Sequence, residues 1–253
     1  MTRFAEWCTQ AEIPAANHKL QALNADPQKL GEAVGIVAEM IPDHYVMPGR
    51  LAQLLNRLGR SAVAAYVAEK LPTSLPLKSG DLGEILCTTF VHEGTSFKLG
   101  IKRLRWKDHR NMAMRGDDVL AFSLGEGATG LKVLKAEAKS RARMPASVIA
   151  AARGALSAYG ELPSPHAMSF VADRLDEASD KPLRDALDDA QLKRSLKPSQ
   201  VTHMLFAFSG NDASTLLATN LNTYAGEAAQ HYVGLRVENH KDFINAVFAA
   251  VEG

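Results

Sequence analysis

The fold is decided by two runs of the sequence, Gly116-Asp117-Asp118-Val119-Leu120-Ala121-Phe122 and Leu131-Lys132-Val133-Leu134-Lys135-Ala136-Glu137-Ala138-Lys139. The first run begins with carboxylates and continues as apolar residues. The second run alternates and ends in Glu-Ala-Lys. Both patterns are typical of short β-strands. The sequence therefore predicts two neighbouring strands that bring acidic residues and a lysine to one end of a sheet.

The segment between the two runs, residues 125–130, reads Gly-Glu-Gly-Ala-Thr-Gly and matches the G-x-G-x-x-G pattern of dinucleotide-binding loops. Such a loop has to lead into a helix whose N-terminus faces the phosphate. Here a strand-like run follows, and the Gly-Lys-Ser/Thr ending of a P-loop is missing. We therefore predict that this segment is the turn of a β-hairpin.

The acidic residues and the lysine of the two runs point to a particular chemistry. Glu137 and Lys139 are two residues apart, so on a strand their side chains share a face. Together with Asp118, Glu137 offers the hard oxygen ligands that suit Mg²⁺ or Mn²⁺. A lysine beside the metal can hold a water molecule or stabilise charge on a phosphate. These residues are what a metal-dependent phosphodiesterase needs. Asp117 stays an alternative ligand, but Asp118 is favoured because the apolar strand follows it directly.

Composition restricts the class of protein. The chain has 253 residues, is 46% hydrophobic and carries a formal net charge of +1, so the total charge does not indicate nucleic-acid binding. Its two cysteines have no metal-ligand spacing, which favours a reducing, cytoplasmic location. No signal peptide is evident, and no uncharged apolar stretch reaches about 18 residues, so we expect no association with a membrane.

Two regions are predicted along the chain. Residues 1–75 are expected to form a helical N-terminal region without a catalytic constellation. Residues 76–253 are expected to form a nuclease-like α/β domain with a mixed central sheet flanked by helices. This domain would begin with a helix capped by Ser79 or Asp81, on which Glu84 lies. A charged strand over residues 97–106 would follow.

The segment between Lys98 and Arg115 is strongly basic, with seven lysines and arginines against one acid, which is a local charge of +6. It is either a solvated basic edge strand or a surface that faces nucleic-acid phosphates. If it faces phosphates, the candidate nucleic-acid-binding residues are Lys102, Arg103, Arg105, Lys107 and Arg110, with Arg141 and Arg143 after the second run.

The order of these features resembles the core of the PD-(D/E)xK nuclease superfamily. The matching residues are Glu84 on a helix, then Asp118 before an apolar strand, then Glu137-Ala138-Lys139. The resemblance implies a restriction-endonuclease-like core in which Asp118 and Glu137 bind Mg²⁺ or Mn²⁺. It implies that Lys139 positions the attacking water, and that Glu84 is an added ligand or a support. Asp117 stands where the family pattern has proline, a position that varies widely.

At finer grain the layout is similar to the nuclease subunit of Hachiman-type bacterial antiphage systems. The similarity depends on three features: the helical N-terminal region, the helix that carries Gly-Asp-Leu-Gly followed by Glu84, and the strand with Glu137-Ala138-Lys139. It implies that the substrate is DNA and that a helicase subunit is the partner. Three alternatives stay open: a catalytically silent nucleic-acid-binding or regulatory subunit on a nuclease fold, a hydrolase with another substrate, and surface charges without a function.

Overall fold

A seven-stranded sheet with helices on both faces forms the body of the protein. The computed structural model describes residues 3–125, 130–176 and 179–252, and the elements below are those of these ranges. The strands are β1 Cys8–Glu12, β2 Lys19–Ala25, β3 Lys98–Leu99, β4 Val119–Leu124, β5 Leu131–Arg141, β6 Val201–Ser209 and β7 Ala229–Arg236. The helices are α1 Phe4–Trp7, α2 Leu30–Tyr45, α3 Pro48–Leu58, α4 Arg60–Ala68, α5 Leu75–Gly94, α6 Ala146–Ser157, α7 Pro165–Ala172, α8 Lys181–Leu192, α9 Ser214–Asn222 and α10 His240–Glu252.

The sheet is mixed, which confirms the predicted α/β class with a central sheet flanked by helices. The strand order is β1-β2-β7-β6-β5-β4-β3. The pairs β2–β7, β7–β6 and β6–β5 are parallel, whereas the pairs β1–β2, β5–β4 and β4–β3 are antiparallel. The central strands are buried on both faces, as expected for parallel strands covered by helices, and this explains why they are mostly apolar runs.

The two faces of the sheet bury separate clusters of side chains. Residues that alternate along one face, such as Leu134 and Ala136, pack in one large cluster with α2, α5 and α10. On the opposite face, Val133 and Leu131 pack with α7 and α8, and a third cluster lies under α6 and α9. Among the described helices, none combines the length and the apolar character needed to cross a membrane.

The predicted hairpin is present. Strands β4 and β5 are antiparallel neighbours, with Val119 opposite Ala136 and Leu124 opposite Leu131. Between them, the Gly125 N–H donates to the carbonyl oxygen of Gly130 at 2.9 Å. Residues 126–129, which form the rest of the predicted turn, lie outside the described residues. The G-x-G-x-x-G segment thus joins two strands, and no helix follows it.

The prediction of helix throughout residues 1–75 is wrong for residues 8–25. This segment forms β1 and β2, which pair antiparallel with each other, and β2 pairs parallel with β7. Strand β1 is an edge strand with four exposed residues, so it carries little of the apolar alternation that identifies a strand. Its neighbour β2 is held in the sheet by pairing with β7, which lies more than 200 residues later in the sequence. Helices do follow from Leu30 to Ala68.

The charged strand predicted over residues 97–106 is also largely wrong. Only Lys98 and Leu99 pair with β4, opposite Phe122 and Ala121. The chain then turns into a 3₁₀ helix over Arg103–Trp106. The physical reason is that the basic side chains of this segment reach acids on helices α2 and α5, and an extended strand would hold them away from those acids.

Helix α5 is the element that brings Glu84 to the sheet. It begins at Leu75, so the predicted caps Ser79 and Asp81 lie inside the helix, and the prediction of a later start is wrong. A Cβ atom at Gly83 would lie 3.1 Å from the Cβ of Ser140 on β5. Glycine at position 83 therefore allows the helix to approach the strand closely, and the next residue, Glu84, reaches the end of the sheet.

Acid sensitivity is expected from His231, which is 7% exposed in β7 and forms a hydrogen bond of 2.7 Å with the Gln21 side chain. Burial lowers the pKa of His231 to about 4, with Lys19 adding to the effect, whereas in an unfolded chain the value is about 6.5. The unfolded state therefore binds more protons between these values. The stabilisation that neutral His231 provides is present above pH 6.5 and is lost as the pH falls towards 4.

We therefore expect His231→Gln to reduce the loss of unfolding free energy between pH 7 and pH 4.5 by about 2 kcal/mol. Urea unfolding followed by circular dichroism at both pH values measures this difference. His92→Gln, on the exposed side of α5, is the matched control and should leave the pH dependence unchanged. An identical pH dependence in His231→Gln and the unsubstituted protein would contradict the prediction.

Candidate active site

The four residues predicted to be catalytic meet at one end of the sheet. Strand β4 begins opposite Ala136, so residues 137–141 of β5 extend beyond it. Asp118 lies directly before β4, and its Oδ2 accepts a hydrogen bond of 2.9 Å from the Ala138 N–H. Glu84 enters from α5. Three carboxylates and Lys139 therefore surround the space beside the exposed end of β5.

A guanidinium group lies among these carboxylates. Arg103 binds Glu84 through two bonds, Nε to Oε1 at 2.9 Å and Nη2 to Oε2 at 2.8 Å. Its Nη2 also donates to Asp118 Oδ1 at 2.6 Å. The remaining nitrogen, Nη1, donates to the backbone carbonyl oxygens of residues 115–117, the shortest contact being 3.0 Å. All the donors of Arg103 thus have acceptors inside the protein.

Glu137 and Lys139 form an ion pair, as their spacing on one face of β5 predicts. Burial, followed by the negative charge of Asp118, raises the pKa of Glu137 to about 7, while Lys139 acts in the opposite direction. Burial also raises the pKa of Glu84 to about 7, against the effect of Arg103. Carboxyl groups with raised pKa values that lie close together are typical of functional sites, and a cation bound there would stabilise their charged form.

The structure separates the two adjacent aspartates that the sequence left as alternatives. The Asp117 side chain is 8% exposed and turns away from Glu84. Its Oδ1 lies 3.5 Å from Lys135 Nζ, and its Oδ2 accepts from the Ser164 N–H at 2.8 Å. Asp118 is the aspartate that meets Glu84 and Arg103. Asp117 therefore holds the start of α7 to the sheet, and Asp118 belongs to the candidate site.

Most of the basic run is paired within the protein. Lys102 and Arg105 both form ion pairs with Asp43 of α2. Lys107, whose side chain is 4% exposed, pairs with Asp81 of α5 at 2.7 Å. Two contacts of 3.4 Å join Arg110 to backbone carbonyl oxygens at the end of α4. The local charge of +6 is thus largely compensated by acids that lie far away in the sequence.

Arg141 and Arg143 are exposed, as are Lys98 and Arg115 at the two ends of the basic run, whereas the lysines and arginines between those ends are partly buried. Arg141 is the last residue of β5, and Arg143 follows between β5 and α6, two and four residues after Lys139. The structure therefore places these two candidate nucleic-acid-binding residues on the surface next to the carboxylates.

Sequence reasoning assigned Arg103 to phosphate binding and did not identify it as the partner of the acids. The spacing of Arg103 within a basic run carries no sign of this role. A different signal was available in α5, where Asp81 and Glu84 occupy a mostly apolar helix. Buried acids need cationic partners. The nearest group of several lysines and arginines in the sequence is the basic run, which begins four residues after the helix.

The ligands that a divalent metal needs are partly present at this end of the sheet. The donor atoms fit, because carboxylate oxygens are the ligands that Mg²⁺ and Mn²⁺ take. In the conformation described, however, Arg103 contacts two of the three carboxylates. Among the described residues, no group of three or more His, Cys, Asp or Glu is placed to hold a metal ion. The chemistry of the donor atoms therefore fits a divalent metal, whereas their positions in this conformation do not form a metal site.

One known protein and one family model each match almost the whole chain. The chain is 23% identical over 256 residues to the Hachiman protein HamA of Bacillus cereus, and the alignment covers 98% of this chain and 90% of the relative. The family model of HamA matches residues 2–251, which is nearly the whole chain. The chain therefore belongs to the HamA family.

Proposed function

We propose that this protein is a metal-dependent nuclease that cleaves DNA phosphodiester bonds with little sequence specificity. The observation that carries the proposal is the meeting of Glu84, Asp118, Glu137 and Lys139 at one end of the sheet. These residues come from a helix and two adjacent antiparallel strands, in the order expected for a PD-(D/E)xK nuclease. Similarity to the Hachiman protein HamA supports a role in antiphage defence. The proposed partner is a helicase subunit, which is what the resemblance to Hachiman-type systems implies.

In this proposal Asp118 and Glu137 would hold Mg²⁺ or Mn²⁺, and Glu84 would support them. The ion would supply polarisation of the phosphate and a water molecule of lowered pKa. Lys139, which pairs with Glu137, would hold the attacking water or stabilise the charge that develops on the phosphate. Asp118, which pairs with Arg103, would have to exchange that contact for the metal.

The exposed arginines Arg141 and Arg143 would contact the DNA backbone next to the cleaved bond. Contacts with phosphates carry no sequence information, so the activity would be non-specific and would weaken as the salt concentration rises. The basic run before β4 would contribute less than its charge suggests, since four of its cations already pair with acids.

The test is cleavage of linear and plasmid DNA by the purified protein, with and without its helicase partner, in Mg²⁺, Mn²⁺ or EDTA. We expect cleavage that needs the metal and falls at least about a hundredfold in Glu137→Ala with Lys139→Ala. The matched control is Lys181→Ala with Asp185→Ala, which removes an exposed ion pair on α8 and should keep full activity. Cleavage that survives the Glu137 and Lys139 substitutions would contradict the proposal.

A second function, a subunit that binds nucleic acid or regulates a partner without cutting, is favoured by one specific observation. Arg103 neutralises two of the carboxylates that a metal would need. That function predicts DNA binding that weakens with salt but no metal-dependent cleavage, with or without the helicase. The same assay therefore separates the two functions.

A further inference from the structure

A cavity of about 770 Å³ opens beside the candidate active site. Asp118 and Arg103 lie in its wall, and its other side is formed by α7 and the segment that follows the 3₁₀ helix. Its volume falls within the roughly 300–1,000 Å³ that is common for small-molecule sites. A phosphate bound through a metal ion at Asp118 would therefore have an adjoining nucleotide within reach of this cavity. This step rests on the proposed function.

Two aromatic side chains also line the cavity. The rings of Trp106 and Phe170 meet edge to face, with their centroids 6.3 Å apart and an interplanar angle of 85°. The guanidinium carbon of Arg174 lies 3.6 Å from the centroid of Phe170 and 5.7 Å from that of Trp106. Aromatic rings and arginine planes are the surfaces on which unpaired nucleobases stack.

One N–H donor of Arg174 also lacks a hydrogen-bond acceptor among the described residues. One of its terminal nitrogens donates to the Phe170 carbonyl oxygen at 3.1 Å. Its Nε is buried and has no acceptor among the described residues. A buried donor without a partner is costly, and a ligand that carries an acceptor would relieve this cost. The oxygen and ring-nitrogen acceptors on the edge of a nucleobase meet that requirement.

We infer that this cavity, the aromatic pocket lined by Trp106, Phe170 and Arg174, binds an unpaired nucleobase next to the phosphate at Asp118. A base inside a duplex is stacked and paired, so it has to leave the helix to enter the pocket. The protein therefore prefers single-stranded or frayed DNA to a closed duplex. The pocket distinguishes a strand with bases from a bare sugar-phosphate chain.

The fluorescence of Trp106 gives a direct test. The chain has two tryptophans, and Trp7 is 1% exposed in the core, so a base that enters the pocket quenches chiefly Trp106. The full chain is titrated in EDTA, which prevents metal-dependent cleavage, with three probes of equal charge: a single-stranded oligothymidine, the same strand with abasic sites throughout, and a blunt hairpin. We expect quenching by the oligothymidine, with a Kd about tenfold lower than for the abasic strand.

Phe170→Leu removes one stacking surface, and it should weaken oligothymidine binding about fivefold or more without changing abasic binding. The matched control is Tyr159→Leu, an exposed aromatic residue outside the pocket, which should bind as the unsubstituted protein does. Circular dichroism verifies that each variant is folded. Equal affinity for the base-bearing and abasic strands, or equal weakening of both by Phe170→Leu, overturns the inference.

The result of this binding test can be distinguished from the result of the cleavage test of the proposed function. If the protein cleaves DNA with metal but binds base-bearing and abasic strands equally well, the proposed nuclease function is supported and the proposed base-binding pocket is contradicted. Base-dependent quenching without any cleavage would support the pocket and contradict the nuclease. No binding of any probe in a folded protein overturns the inference.

Discussion

Arg103→Met is expected to lower the unfolding free energy by about 3–5 kcal/mol in the absence of divalent metal, and to make it depend strongly on Mg²⁺ or Mn²⁺. Removing one partner of a buried ion pair leaves the other charge uncompensated, which is the costly case. Here the charges are those of Glu84, 9% exposed, and Asp118, 18% exposed. A metal bound by the freed carboxylates would replace the missing cation.

Urea unfolding in EDTA and in increasing MnCl₂ measures both parts of this prediction. When the metal is present at about a hundredfold above its Kd, it should return about 2–3 kcal/mol to the variant. The unsubstituted protein should gain less, because the metal has to displace Arg103 from Asp118. This readout needs no cleavage, so it tests the metal site independently of activity.

Arg105→Met is the matched control for Arg103. It makes the same substitution two residues away and breaks an ion pair with Asp43, whose side chain is 37% exposed. It should cost at most about 1 kcal/mol and should not create a response to metal. If Arg103→Met is too unstable to fold, Arg103→Lys keeps one charge and should show a smaller loss and a weaker metal response. Equal metal responses in Arg103→Met and the unsubstituted protein would contradict the competition that we propose.

Lys135→Met is expected to lower the unfolding free energy by about 3–5 kcal/mol, again because a buried charge loses its partners. The Lys135 side chain is 1% exposed. Its Nζ donates to the carbonyl oxygens of Ala155, Leu156 and Leu162 at 2.9–3.0 Å and lies 3.5 Å from Asp117. Burial lowers the pKa of Lys135, and Asp117 opposes this shift. Removing the ammonium takes a donor from the carbonyl groups at the end of α6 and removes the cation beside Asp117.

Chemical unfolding at neutral pH measures the loss, and Lys132→Met is the matched control. Lys132 lies on the same strand, three residues earlier, and is exposed, so its replacement should change stability by less than about 0.5 kcal/mol. A Lys135→Met protein within about 1 kcal/mol of the unsubstituted one would mean that water satisfies the carbonyl groups. The role assigned to Lys135 would then be wrong.

The strands next to the candidate site could be predicted because their signals are local. A short apolar run predicts β4, alternation predicts β5, and the glycines between them indicate a turn. The i, i+2 spacing of Glu137 and Lys139 placed both on one face, and they form the expected ion pair. The apolar run of β6 is typical of a strand that is buried on both faces.

The errors occur where a distant partner decides the local structure. Strand β1 is mostly exposed and β2 is placed by pairing with β7, so neither shows a clear pattern in residues 8–25. The segment after Leu99 is turned inwards by ion pairs with α2 and α5. The spacing of apolar residues along a helix or strand shows only which side of that element is buried. It does not show which acid a lysine or arginine will contact.

The sequence by itself determined the α/β class, the β4–β5 hairpin and the alignment of Glu137 with Lys139, since these depend on neighbours a few residues apart. Only the tertiary structure decided that Asp118, rather than Asp117, joins Glu84, and that Arg103 lies between them. It likewise decided that most of the basic run is neutralised. The reason is that these charge pairs connect residues far apart in the chain: 19 positions separate Arg103 from Glu84, and 62 separate Arg105 from Asp43.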